Sequence, residues 1–223
     1  MPRFVPSRWS RVTSSSPAPT PVASTSVTQP YDEKTALLVV DVQNDFADPR
    51  GSLSVPGGAA VIDAINAEIA AATEAGALVV YTQDWHPTVT PHFEPHGGVW
   101  PVHCVRETWG ADLHPDLVVV GPSVLKATGE EDGYSGFSTR HPLSGEITAT
   151  QLDDLLSDRD VERVVIVGLA LDYCVKETAL DAIGLGYETV VPLTTTAAVE
   201  VQPGDGAKAI GEMAGAGVTI VEG

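Results

Sequence analysis

The sequence predicts an α/β protein: a central, mostly parallel β-sheet with helices on both faces. Three observations carry that prediction. Segments of strand character alternate with segments of helical periodicity from Lys34 onward. The strand segments are short, continuous apolar runs, as strands buried on both faces read. The chain is also aliphatic, 43% hydrophobic but only 6% aromatic, so its core must come from Val, Ile, Leu and Ala.

The elements follow in order. Residues 36–41, "ALLVVD", read as a buried strand. In residues 59–75, Val61, Ile62, Ile65, Ile69 and Ala72 recur at helical spacing, and Gly76 follows as a stop. Residues 77–83, "ALVVYTQ", form a second strand and 123–127, "SVLKA", a third. A helix over 148–160 precedes a strand over 163–170, "RVVIVGLA". A helix over 173–186, a strand over 187–194, a helix over 205–216 and a strand over 217–222 complete the pattern. Strands alternating with helices predict parallel pairing through crossover connections. Residues 84–122 interrupt the alternation. They are rich in Pro, Gly and His and too long for a plain connection, which points to function.

The 223 residues suit one domain of ordinary size with some extra. That domain is expected over 34–223. Residues 1–33 are Ser/Thr/Pro/Ala-rich without apolar periodicity and read as a disordered tail. The tail carries Arg3, Arg8 and Arg11 and no acid before Asp32. It lacks the apolar stretch of about 7–15 residues that a signal peptide needs. Its Arg and Ser content fits a transit peptide, against which its prolines argue. A formal net charge of −18 opposes binding to nucleic acid and to anionic membrane surfaces. No apolar run approaches the roughly 18 residues of a membrane span. Two cysteines do not make a disulfide framework. A reducing, cytoplasmic setting is expected. Nothing in the sequence marks an interface, which leaves a homo-oligomer open.

In parallel sheets, ligands bind outside the carboxyl ends of the strands. There the sequence places Asp41, then Asp84-Trp85-His86, then Lys126, then Ala170, Asp172 and Cys174. Asp172 is a fitting N-cap for the helix after it. Cys174 then lies in a first helical turn, where free N–H groups and the helix dipole lower a thiol's pKa and offer donors to an oxyanion. The plain alternative is a small buried hydrophobe. Asp41 ends an apolar strand, where a carboxylate is costly unless partnered; alternatively it caps the turn "VQNDF". Lys126 could equally be a solvent-facing residue at a strand end. If the three converge, Asp41 can take the thiol proton, Lys126 can stabilise the charges, and Cys174 can attack a carbonyl.

Residues 81–105 hold four of the six histidines. Asp84 and His86 are two apart at a strand end and can point the same way, and His103 arrives after a loop. One carboxylate and two imidazoles suit a divalent metal of the Zn, Fe or Mn type. His92 is a candidate further ligand. His96, His114 and His141 read as surface residues, and Cys104 as a packed thiol. Glu130, Glu131 and Asp132 read as a solvated loop, or alternatively as an acidic rim that helps an anionic product leave.

Together "VVDVQNDF", "GSLSVPGG", "DWHP", "WPVHC", a strand lysine before "YSGF", and "VGLALDYCV" resemble the nicotinamidases (pyrazinamidases) of the isochorismatase-like hydrolase superfamily. The resemblance runs from about Ala36 to the C-terminus. It implies a three-layer Rossmann-like fold. It implies hydrolysis of nicotinamide to nicotinate and ammonia in NAD salvage, with pyrazinamide a side substrate. It implies a catalytic triad of Asp41, Lys126 and Cys174, and an oxyanion hole from the N–H groups of Ala170 and Cys174 after a cis Leu169–Ala170 peptide. It implies one divalent metal on Asp84, His86 and His103, with His92 added in some members. Phe46, Trp100 and Tyr134 match ring-packing positions. Relatives acting on N-carbamoyl or ureido amides keep the cysteine but generally lack the metal ligands. A silent metal- or nicotinamide-binding module is the alternative from another class. Rapid alkylation of Cys174 near neutral pH would speak for an enzyme against it.

Overall fold

The computed structural model describes residues 31–223; residues 1–30 of the expected tail lie outside that range, while at its end Tyr31 packs against the core and donates to Glu68 at 2.6 Å. The first strand, β1 (Thr35–Val40), is buried along its whole length. Its alternate side chains enter two different cores. Leu37 and Val39 pack with Ile62, Ile65 and Ile69 on one face, while Ala36, Leu38 and Val40 pack with Leu152, Ala179 and Met213 on the other. A strand that must be apolar on both faces shows no alternation, which is why it reads as a continuous run.

Beyond a short turn of helix α1 (Asn44–Ala47), helix α2 (Ile62–Glu74) covers the first face. Its buried residues Ile62, Ile65, Ile69 and Ala72 form one stripe at helical spacing. Each buried Ile contributes about 1.5–3 kcal/mol of hydrophobic stabilisation. Strand β2 (Leu78–Asp84) follows, then the long irregular segment, then β3 (Ser123–Lys126). Next come a hairpin of β4 (Ser138–Arg140) and β5 (Ile147–Ala149), helix α3 (Leu152–Ser157) and strand β6 (Arg163–Leu169). Helix α4 (Lys176–Leu185), strands β7 (Glu188–Pro192) and β8 (Thr196–Ala197), helix α5 (Asp205–Ala216) and strand β9 (Thr219–Val221) complete the fold.

The main sheet runs β3-β2-β1-β6-β7-β9, with β8 beside β6. All its pairings are parallel. Helices α3, α4 and α5 supply the second face. This is the α/β sandwich the sequence predicts. From β1 the chain winds outward to β2 and β3, then returns to β6 on the other side of β1. The β1/β6 junction is thus the topological switch point, where such sheets hold ligands.

Two elements differ from expectation. The helix expected over 148–160 is shorter, because Thr148 and Ala149 belong to β5 and pair with Thr139 and Ser138. The Thr150 hydroxyl then donates to the Gly136 carbonyl at 2.6 Å, which holds this residue out of the helix. The hairpin itself was not expected: each strand is only three residues long and β5 is wholly exposed, so neither carries an apolar pattern.

Gly168 sets how closely β6 approaches β1. Its φ is +110°, and a Cβ there would overlap the carbonyl oxygen of Val40. The backbone conformation alone costs a non-glycine residue about 1–3 kcal/mol. Gly168→Ala is therefore expected to lower the urea unfolding midpoint by at least that equivalent. An unchanged midpoint would show that the junction is looser than the pairing of Val40 with Gly168 implies.

Candidate active site

The strand ends converge. Asp41 follows β1 with φ of +48°, a region that Asp tolerates better than most side chains. Its carboxylate is fully buried. Oδ1 accepts from the Thr82 hydroxyl at 2.7 Å, and Oδ2 lies 2.8 Å from Lys126 Nζ. Asp41 therefore does not cap the following turn. Asp84 and Lys126 face each other across β2 and β3 in register, and the ammonium is also held by Asp84 Oδ1 and the Gly133 carbonyl. Lys126 is buried, not solvent-facing. Burial alone would discharge its amine, but Asp41 and Asp84 outweigh burial and keep it charged.

Cys174 sits in a π-type turn, Leu171–Val175, between the end of β6 and α4. Such turns are rare and concentrate at functional sites. Its Sγ is 3.7 Å from Lys126 Nζ and within 4.8 Å of a carboxylate oxygen of Asp41. The helix-start argument predicts a lowered thiol pKa; the structure reverses it. Burial pushes the Cys174 thiol well up, Lys126 opposing and Asp41 and Asp84 adding to the rise. Burial likewise raises the Asp41 carboxyl, against the pull of Lys126. The thiol and the carboxyl thus form a buried pair over which a proton can be shared. Nor is Asp172 the N-cap. Its carboxylate accepts from the N–H groups of Val199 and Glu200, both at 2.9 Å, and so holds that loop against the site.

Beside this triad stands the histidine cluster. One ring nitrogen each from His86, His92 and His103 lies within 4.8 Å of the others, and all three residues are buried. Asp84 Oδ2 is 3.7 Å from His86 Nε2 and 3.9 Å from His103 Nε2. Asp84 is therefore the link between the two centres, one oxygen toward Lys126 and the other toward the imidazoles. Burial alone would raise its pKa, but Lys126 and then His86 hold the carboxyl below its ordinary range. His103 Nδ1 bonds the Pro101 carbonyl at 2.7 Å, which leaves Nε2 for the cluster. Burial lowers the His103 pKa to about 4 and lowers that of His92. Neutral imidazoles are the ligating form. His86 is more telling: both of its buried ring nitrogens lack a hydrogen-bond partner among the described residues. Buried polar atoms seldom stay so without cause, and a metal ion would satisfy one of them. Three imidazoles and a carboxylate fit Zn, Fe or Mn.

A cavity opens onto both centres. Phe46, Trp100 and Tyr134 line it, as do Ala170 and Cys174. Trp100 Nε1 donates to the Tyr134 hydroxyl at 2.7 Å, so the two rings are locked together. The Leu169–Ala170 peptide is cis.

Several residues around the site carry roles that sequence reasoning did not assign. Tyr173 lines the cavity and meets Trp100 edge to face, centroids 5.0 Å apart. Gln43 clamps the Asp84 backbone at both its N–H and its carbonyl, at 2.8 and 2.7 Å. Its signal was its place in "VVDVQNDF", but only β1–β2 pairing brings it to Asp84. His114, read as a surface residue, is buried, its Nδ1 accepting from the Asp116 N–H. The acidic segment does not form a common rim. Glu131 folds back onto the Gly129 N–H, Glu130 faces His141, and Asp132 alone reaches the histidines.

Comparison with known proteins agrees with this geometry. Residues 35–222 match the isochorismatase domain. The nicotinamidase of Escherichia coli is 38% identical over 203 residues, covering 83% of this chain and 93% of that protein. The crystal structure of the pyrazinamidase of Pyrococcus horikoshii in complex with zinc superposes with a TM-score of 0.75 at 39% identity, over 85% of this chain and 99% of that one. That of PnC1 from L. infantum in complex with nicotinate gives 0.78 at 34% identity, over 86% and 95%. With a family match over nearly all the described residues and the fold shared throughout, the chain belongs to the isochorismatase family of hydrolases.

Proposed function

We propose that this hydrolase is a metal-dependent nicotinamidase, converting nicotinamide to nicotinate and ammonia, with pyrazinamide as a side substrate. One observation carries the reading: a buried thiol, carboxylate and ammonium meet beside three buried imidazoles on a single aromatic-lined cavity. Relatives named for nicotinamide and pyrazinamide hydrolysis support it. The reaction makes nicotinate and so belongs to NAD salvage, in the cytoplasm.

Phe46, Trp100 and Tyr134 enclose the pyridine ring. The Cys174 sulfur bonds to the carboxamide carbon while its proton passes to Asp41, whose carboxylate lies within 4.8 Å of it. Lys126, 3.7 Å from the sulfur, stabilises the negative charge as it forms. The backbone N–H groups of Ala170 and Cys174 hold the oxyanion. Asp41 then returns the proton to the departing nitrogen, ammonia leaves, and a thioester remains. Water attacks the thioester carbon and gives a proton to Asp41, from which the Cys174 thiol is restored. One carboxyl with a raised pKa thus serves as base and acid in both halves. Asp84, His86, His103 and His92 would hold a divalent ion, which would supply a Lewis acid for the ring nitrogen.

Ammonia release from nicotinamide by the purified chain tests the assignment. Chelation should lower the rate on the order of 10²-fold, the cost of a ring misplaced by about 1 Å. Added Zn²⁺, Mn²⁺ or Fe²⁺ should restore it. A metal-loaded protein that releases no ammonia from nicotinamide would sink the assignment, and N-carbamoyl and ureido amides would be the next substrates.

A further inference from the structure

His92 lies in the long segment after β2, on neither a strand nor a helix. A ligand on irregular backbone needs its ring fixed from elsewhere. One face is held: the ring stacks on His86, centroids 4.7 Å apart and 19° from parallel. Its orientation about the ring axis is set by Asp132, whose Oδ1 is 2.5 Å from His92 Nδ1. With Nδ1 engaged, Nε2 is the nitrogen left for the cluster it shares with His86 and His103.

Asp132 is itself anchored. Its N–H donates to the Arg140 carbonyl at 2.7 Å, and the Arg140 N–H returns a bond at 2.8 Å. This antiparallel bridge makes Asp132 an extension of the β4–β5 hairpin. The next two residues hold the rest of the site: the Gly133 carbonyl accepts from Lys126, and the Tyr134 hydroxyl accepts from Trp100. Three consecutive residues thus brace an imidazole, the triad's ammonium and the aromatic wall. We propose that Asp132 is a positioning residue which, braced by the hairpin, fixes the tautomer and direction of His92 and thereby makes it a fourth metal ligand. The inference rests on the metal-dependent reading above. It assigns a task to the hairpin, which contributes little to either hydrophobic core, and to the one carboxylate of the acidic segment that points inward.

Partners of this kind, one bond removed from the metal, commonly change its affinity by about 10–100-fold when lost. The test uses the full chain as wild type, Asp132→Ala, Asp132→Asn, His92→Ala and the Asp132→Ala/His92→Ala double variant. Zn²⁺ affinity is measured by competition with a chromogenic chelator, and the visible spectrum is recorded with Co²⁺. Asp132→Ala should weaken Zn²⁺ by about 10–100-fold and shift the Co²⁺ spectrum toward that of His92→Ala. Asp132→Asn should recover part of the affinity, because its amide oxygen can still accept from Nδ1–H. The double variant should bind no more weakly than His92→Ala, since Asp132 acts only through that ring. Wild-type affinity and spectrum in Asp132→Ala, or losses that multiply in the double variant, would overturn the proposal. If Asp132→Ala fails to fold, the near-isosteric Asp132→Leu, which cannot accept from Nδ1–H, carries the comparison, and wild-type affinity and spectrum in it would overturn the proposal equally. A wild-type chain that binds neither ion would overturn the metal reading as well. Tight wild-type binding indifferent to Asp132 would overturn this inference alone.

Discussion

Cys174→Ala should reduce ammonia release from nicotinamide by about 10⁴-fold or more, in line with the loss of a covalent nucleophile elsewhere. Its stability should stay within about 1 kcal/mol of wild type, because the change removes one atom and no charge. Cys174→Ser should be similarly inactive: Asp41 cannot activate an alcohol as it can the more acidic and more nucleophilic thiol. The pair of variants separates covalent catalysis from direct attack by water. If Asp41 merely activated water, removing the sulfur would leave most of the rate. Activity within tenfold of wild type in Cys174→Ala would therefore end the thioester mechanism while leaving the family membership untouched. Alkylation of the resting protein is a poorer test than the sequence suggested. The thiol is buried and its pKa is pushed up, so slow reaction with a general alkylating agent is expected even of an active enzyme. An aldehyde that mimics the substrate would instead form its adduct inside the cavity, where Asp41 can take the proton.

The fold was legible because its determinants are local and periodic. A strand buried on both faces must be continuously apolar, and α2 must place Ile62, Ile65 and Ile69 on one side. Much of the site was legible for a related reason. In a parallel sheet, each strand delivers its last residue to the same edge, so Asp41, Asp84, Lys126 and Cys174 meet once the strands are known. What could not be read depends on contacts remote in sequence. Asp172 looks like a cap because it precedes a helix, yet its carboxylate serves Val199 and Glu200, 27 and 28 residues away. The direction of the Cys174 pKa shift follows from burial and two carboxylates from other strands, not from its place near a helix start. Asp132 belongs to a run of acids, and only the β4 bridge turns it inward while its neighbours face elsewhere. His114 shows the same limit: loop histidines look exposed until the packing of the loop is known.

Lys126→Met should give the largest loss of stability of any single change in the site. The substitution keeps most of the side-chain stem and deletes the ammonium. It leaves Asp41 and Asp84 buried without the cation that faces both. Removing one partner from a buried ion pair costs about 3–5 kcal/mol. Chelator-treated protein should show the full effect, because a bound divalent ion would take over part of the compensation at Asp84. The loss should also depend on pH in a definite direction. Burial already raises the Asp41 pKa above 3.8, with Lys126 opposing that rise. Without Lys126 it rises further. A carboxyl with a folded pKa above its unfolded value stabilises the fold when protonated, and that contribution is lost as pH rises through the folded value. Lys126→Met should therefore lie nearest wild type in mildly acidic buffer and fall behind as the pH is raised toward 8. Adding Asp41→Asn should recover part of the loss at pH 8, since one of the two unpaired charges is then gone. Urea unfolding of the three proteins across that range decides the matter. A Lys126→Met midpoint equal to wild type at pH 8 would mean that the ammonium does not neutralise the two carboxylates, and with it would go the account of how a buried acid and a buried thiol are kept ready to exchange a proton.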